Sequence, residues 1–164
     1  MTKQETYAFL DSLKIPYETA EHRAAFTMED ISEMELPHPE CEAKNLFVRD
    51  NRKRNYYLIT VKGEKRIDLK SFRKEFGLRP LTFASEEDLW QFLALKPGSV
   101  TPLGLLNDSE KAVKFFLDSE FLESPGLIGI HPNENTATVW LKTEDLLKII
   151  RSHGNEAEIF SPRF

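Results

Sequence analysis

Ala43-Lys44-Asn45-Leu46-Phe47-Val48-Arg49 and Asn55-Tyr56-Tyr57-Leu58-Ile59-Thr60-Val61, joined by Asp50-Asn51-Arg52-Lys53-Arg54, are the residues on which the fold turns. Each run is rich in β-branched and aromatic side chains, and the Asp-Asn start of the connection favours a turn, so the stretch predicts an antiparallel hairpin with a basic tip. The hairpin opens a wider segment, Lys44 to Arg79, in which twelve Lys and Arg face four acids (Asp50, Glu64, Asp68 and Glu75), a local charge of +8. The whole chain carries -5, so the remainder sums to -13. Two readings of this segregation stand: a face that binds a polyanion by neutralising phosphates, and a solvated, salt-bridged surface hairpin.

Working outward from the hairpin, Asp68 is placed to cap a helix with Leu69, Phe72 and Phe76 inside and Lys70, Arg73 and Lys74 outside, stopped by Gly77. Ser85, followed by Glu86, Glu87 and Asp88, starts a second helix with Leu89, Phe92 and Leu93 inward. On the other side, residues 2–14 place Tyr7, Leu10 and Leu13 at helical spacing before Pro16. Residues 17–22 read as extended, and Thr27 caps a short helix with Ile31 and Met34 buried. Pro37-His38-Pro39 forces a loop. Downstream, residues 97–104 read as a loop bounded by Pro and Gly, and residues 112–117, 127–130 and 137–141 read as strands. Thr143 is expected to cap a helix carrying Leu146, Leu147, Ile149 and Ile150, and residues 157–160 to form a last strand. Hairpins mixed with helices predict an α/β (α+β) fold, a mixed, largely antiparallel sheet or barrel flanked by helices.

A chain of 164 residues with 40% hydrophobic residues suits one core, so residues 1–164 are expected to form a single domain. A lone Cys41 makes no internal disulfide, no charged-then-apolar leader opens the chain, and no apolar run approaches the ~20 residues that span a bilayer. The expected location is the cytoplasm, with no membrane partner.

Phosphate-binding glycine loops, dinucleotide fingerprints, a nucleophile elbow and H-E-x-x-H are all missing. His38 and Cys41 have a spacing that two metal ligands can share, yet a structural zinc needs about four and no second pair is visible, so neither a metal nor another cofactor is expected. His131, at a strand end before Pro132, is read either as a solvated turn residue or as a side chain projected from a rigid edge. Gly98 to Pro102 is read either as a connector or as a loop whose backbone N–H groups approach a substrate carbonyl.

Four blocks carry a resemblance: Lys44-Asn45-Leu46-Phe47, Arg49-Asp50-Asn51-Arg52-Lys53, the loop from Pro97 to Asp108, and His131-Pro132-Asn133-Glu134-Asn135-Thr136-Ala137-Thr138. In order and spacing they resemble the YbaK/ProX family of aminoacyl-tRNA editing domains, and more narrowly its free-standing, alanine-directed branch, called ProXp-ala or PrdX. The resemblance implies hydrolysis of the ester between alanine and proline tRNA, with the tRNA(Pro) acceptor end as partner and prolyl-tRNA synthetase as a second one that the sequence leaves open. It also implies site roles. Lys44 is the signature lysine at the tRNA 3′ terminus, Asn45 its partner, and His131 the histidine on the later hairpin. Gly98 to Pro102, with Ser99, Val100 and Thr101 between, is the glycine–three residues–proline motif of the aminoacyl pocket. Together Lys44, Asn45, Gly98 and His131 form the expected catalytic set. Arg49, Arg52, Lys53, Arg54, Lys70, Arg73 and Lys74 are expected to hold the tRNA.

An aminoacyl ester is already activated, so its hydrolysis needs a positioned water, donors for the oxyanion and selection by size rather than a nucleophilic triad. Gly98 and Ser99 are expected to supply backbone donors. The alternatives are a cysteine-directed deacylase of the same family and a non-catalytic tRNA-binding module.

Overall fold

The computed structural model describes residues 1–63 and 65–162; Glu64, counted in the charge balance above, lies outside them. The hairpin forms as expected. Strand β2 (Ala43–Asp50) pairs antiparallel with β3 (Tyr56–Lys62), Lys44 opposite Val61 and Asn45 opposite Thr60. Asp50 builds the turn: its Oδ1 accepts from the N–H groups of Arg52 and Arg54, and its Oδ2 from the Asn55 amide at 2.8 Å. A buried carboxylate with three donors is satisfied, which locks the tip while Arg52, Lys53 and Arg54 stay exposed.

β3 is buried from Tyr56 to Val61 because both of its edges are paired and both faces covered. Strand β5 (Val113–Asp118) lies parallel to it, and β8 (Ala157–Phe160) parallel to β5. β4 (Leu81–Phe83) pairs antiparallel with the far end of β2, giving the order β4-β2-β3-β5-β8. A second, antiparallel sheet has the order β1 (Tyr17–Glu21), β7 (Ala137–Lys142), β6 (Leu127–Ile130). A single parallel bridge, Glu42 to Gly129, joins the two sheets. The fold is thus the mixed, largely antiparallel α/β arrangement expected, with the sheet divided in two.

Alternation along β2 separates two apolar clusters. Ala43 and Phe47 face a large one that includes Leu10, Leu58, Leu117, Val139 and Ile150. Leu46 and Val48 face a smaller one in which Phe72, Phe116 and Phe160 meet edge to face, with Phe72 centroids 4.9 Å and 5.4 Å from the other two. Helix α3 (Leu69–Glu75) lays Phe72 onto that second face, its N-terminus capped by Asp68. Helices α1 (Lys3–Ser12), α4 (Glu86–Leu93) and α5 (Thr143–His153) contribute Leu10, Leu89, Leu93 and Ile150 to the first cluster. Reciprocal capping boxes, Thr2 with Glu5 and Ser85 with Asp88, start α1 and α4.

Four local features depart from expectation. β4 has no sequence signal, because three residues after Pro80, two of them exposed, show no period. Residues 102–107, read as loop, wind into a 3₁₀ turn capped by Thr101. Thr143 does not cap α5: it is the first helical residue, and its hydroxyl donates to the Phe121 carbonyl at 2.7 Å. Leu13 is half-exposed at the end of α1 instead of buried. No helix among the described residues is long and apolar enough to cross a membrane.

Candidate functional site

The far edge of β2 is paired with β4 only from Val48 onward, and Glu42, just before the strand, bridges to β6. Between these two contacts the strand edge opens onto a cavity of about 660 Å³. Its wall includes Lys44, Asn45, Gly98, Val100 and His131, contributed by β2, the loop after α4 and the end of β6. The helix α2 (Met28–Ser32) and the segment before it close another side with Phe26, Met28 and Ile31. Four sequence-distant blocks therefore meet at one opening.

Lys44 and Asn45 leave the strand on opposite faces, since side chains alternate. Lys44 Nζ lies 3.5 Å from the Lys65 carbonyl, and among the described residues it has no carboxylate within ion-pair distance. Lys65 is itself anchored, its Nζ 2.7 Å from buried Asp118 and 2.8 Å from Glu120. Burial depresses the Lys65 pKa, but those two partners more than offset it and the net shift is upward. Asn45 accepts a hydrogen bond through Oδ1 from the Thr60 hydroxyl, and its amide N–H₂ has no acceptor among the described residues.

Gly98 has φ +86°, a value suited to glycine, and a Cβ placed there would lie 2.6 Å from the Phe26 ring. Ser99 is a correction: its N–H donates to the Lys96 carbonyl at 3.0 Å and is not available to an oxyanion. The N–H groups of Gly98 and Val100, both in the wall, have no partner among the described residues. Thr101 and Pro102 serve the 3₁₀ turn and are buried in packing rather than lining the cavity.

His131 Nδ1 lies 2.9 Å from the Ala137 carbonyl and so carries the proton, which leaves Nε2 as an acceptor. Burial holds its pKa below the ordinary histidine value, with His22, whose ring centroid is 6.2 Å away, adding to the effect and the Ala137 carbonyl opposing it. The neutral imidazole is the resting form. His22 has both nitrogens engaged, with the Arg23 carbonyl at 2.7 Å and the Thr138 hydroxyl at 2.9 Å.

The expected tRNA-binding cations divide. Arg52, Lys53, Arg54, Lys70 and Lys74 are exposed, and Arg73 is half-exposed. The hairpin tip is at the opposite end of β2 from Lys44, roughly 20 Å along the strand. Arg49 is a correction. Its side chain is 19% exposed, its Nε is 3.8 Å from Asp88 Oδ2, and its Nη1 donates to the Asp50 carbonyl, so it braces α4 against the hairpin. His38 bonds Glu18 at 2.9 Å, and Cys41 is buried, its thiol pKa pushed up first by burial and then by Glu40. The wall residues that the sequence reading does not place at the site include Arg66, Phe26 and Glu42. Arg66 is legible as charge, while the other two are defined only by their neighbours.

The chain belongs to the aminoacyl-tRNA editing domain family, of the YbaK/ProX type, whose model matches residues 22–149, and it is an aminoacyl-tRNA deacylase. It is 39% identical over 153 residues to the prolyl-tRNA editing protein ProX of Acetoanaerobium sticklandii, covering 93% of each chain. It is 36% identical to the mouse prolyl-tRNA synthetase associated domain-containing protein 1, covering 93% of this chain and 91% of that one. The same fold occurs in a solved structure described as a candidate trans-editing enzyme for prolyl tRNA synthetase, with TM-score 0.75, 18% identity and coverage of 99% and 96%.

Proposed function

We propose that this protein hydrolyses alanine wrongly esterified to tRNA(Pro), acting in trans on the acceptor end released by prolyl-tRNA synthetase, with residues 1–164 working as one editing unit. The observation that carries the reading is the convergence of Lys44, the free N–H groups of Gly98 and Val100, and the acceptor Nε2 of His131 on one cavity. The names of its relatives, which refer to prolyl-tRNA editing and to prolyl-tRNA synthetase, support the choice of tRNA.

In this reading Lys44, held by the Lys65 carbonyl, directs its remaining N–H bonds to the terminal phosphate. The Asn45 amide donates to the terminal ribose or the ester. Water adds to the ester carbonyl, the Gly98 and Val100 N–H groups receive the oxyanion, and His131 Nε2 accepts a proton from water or from the ribose hydroxyl. The acyl C–O bond then breaks, the proton passes to the ribose oxygen, and free alanine and tRNA leave. Phe26, Met28, Ile31, Val100 and Ile130 supply an apolar wall for a methyl group. Exclusion of proline by clash is the means of sparing the correct product, since an apolar pocket gains only ~1–3 kcal/mol per methylene by attraction.

The test is loss of ester from tRNA(Pro) charged with alanine, cysteine or proline. Selective loss of alanine is expected. Faster loss of cysteine moves the substrate to the sister branch, and tRNA binding with no ester loss makes the protein a binding module.

A further inference from the structure

Glu42 is the one carboxylate among the described residues that line the cavity, where Lys44 and Arg66 are the cations. It is 4% exposed, and no described residue donates a hydrogen bond to either of its side-chain oxygens; Oε1 is sealed with no partner at all. A buried carboxylate short of donors is costly, and a cation is the partner that offsets most of that cost. The Trp140 indole N–H lies close enough to pull against the effect of burial on this carboxyl, yet it too has no partner in hydrogen-bonding geometry. Both atoms flank Gly129, where a Cβ would lie 2.7 Å from Trp140 Nε1 and 3.3 Å from Glu42 Oε1, so the bare glycine is what lets the two sit there.

The substrate class brings its own cation. An aminoacyl ester carries an α-ammonium group two bonds from the carbonyl under attack, whereas its phosphates are anionic. The wall segregates charge in the same sense, with Lys44 and Arg66 for the anion and Glu42 alone for a cation. We propose that Glu42, through Oε2 rather than the sealed Oε1, accepts the α-ammonium group of the esterified amino acid, making the cavity selective for aminoacyl over other acyl esters. This rests on the deacylase reading above. Burial pushes the Glu42 pKa up to about 7, the Trp140 N–H only partly opposing it, and an ammonium neighbour drives the group to its carboxylate form.

The test compares kcat/KM for alanyl-tRNA(Pro) and for lactyl-tRNA(Pro), the near-isosteric ester with a hydroxyl in place of the ammonium, in the wild type and in Glu42→Gln. Wild type is expected to prefer the alanyl ester. Glu42→Gln should lose roughly ten- to a hundredfold on the alanyl ester, the range for one charge-assisted hydrogen bond, and change the lactyl rate by less than about threefold. Glu42→Asp, which keeps the charge, should keep part of the preference and guards against a Gln variant that fails to fold. An equal fall on both esters, or an unchanged preference, overturns the assignment while the deacylase reading stands. Hydrolysis of neither ester by the wild type removes that reading, and this inference with it.

Discussion

Phe26 lies across Gly98 so closely that a methyl group on the glycine would sit 2.6 Å from Phe26 Cδ1 and 2.9 Å from Cε1. Phe26 is 67% exposed, yet it is held at this point, its backbone N–H donating to Asp30 Oδ2 at 3.0 Å and Asn135 lying on the other side of the glycine. The contact ties the segment before α2 to the loop that carries Gly98 and Val100 in the cavity wall.

Gly98→Ala therefore meets two penalties, a side chain at φ +86° and a clash with the ring. Backbone strain of this kind costs about 1–3 kcal/mol. The expected result, if that strain is felt in the transition state, is a drop of about five- to 150-fold in kcat/KM, that range converted at tenfold per 1.4 kcal/mol. Adding Phe26→Ala separates the causes. Partial recovery in the double variant shows that the ring contact matters, and no recovery assigns the loss to the backbone alone.

Lys44→Ala removes one of the two cations in the cavity wall, a residue that belongs to neither apolar cluster. Its expected signature is at least ~100-fold lower kcat/KM with an unchanged melting temperature, measured by single-turnover deacylation and thermal denaturation. Lys65→Ala tests the support behind it. Loss of the pair to buried Asp118 should cost about 1–3 kcal/mol, softened because Asp118 also accepts the N–H groups of Lys62 and Glu120. A stable Lys65→Ala protein with full activity contradicts that linkage.

pH acts through two groups of opposite sign. Glu42 is shifted from 4.5 to about 7 by burial, so the folded chain binds more protons than the unfolded one between these values. Stability from this group is present at low pH and is lost as pH rises towards 7, by about 3 kcal/mol in all. Glu42→Gln should flatten that slope and be the more stable protein at pH 8. Denaturation at pH 5 and pH 8 checks it, and a Gln variant that is less stable at pH 8 contradicts it.

His131 runs the other way. Its pKa is held below 6.5, so the unfolded chain takes up this proton first and stability falls as pH drops below that value. Its acceptor form, and with it deacylation, should persist below pH 6.5. An NMR titration of the His131 ring with a midpoint at or above 6.5 contradicts the geometry on which its role depends.

The basic segment separates into two behaviours. Alanine at Arg52, Lys53 and Arg54 should weaken tRNA binding and flatten its log–log salt dependence by roughly 0.7–0.9 for each phosphate that is no longer neutralised, with kcat unchanged. Alanine at Arg49 should instead lower stability by about 1–2 kcal/mol through its packing and its link to Asp88, leaving the salt slope alone. Binding titrations at several salt concentrations, with melting curves, distinguish the two.

The sequence by itself determined what depends on near neighbours. Asp50 in its turn, the caps Thr2, Thr27, Asp68 and Ser85, and the paired runs of β2 and β3 each follow from residues a few positions apart. The blocks around Lys44, Gly98 and His131 were legible too, as a family pattern. Only the tertiary structure decided which groups in those blocks are free. Arg49 turns to Asp88 because a partner 39 residues away arrives beside it, whereas the loss of the Ser99 N–H to Lys96 is a local turn that the sequence reading missed. Glu42 reads in the sequence as an ordinary surface acid. It becomes a buried, unpartnered carboxylate because the bridge from Glu42 to Gly129 brings the second sheet over it, and burial across chain-distant elements leaves no local trace.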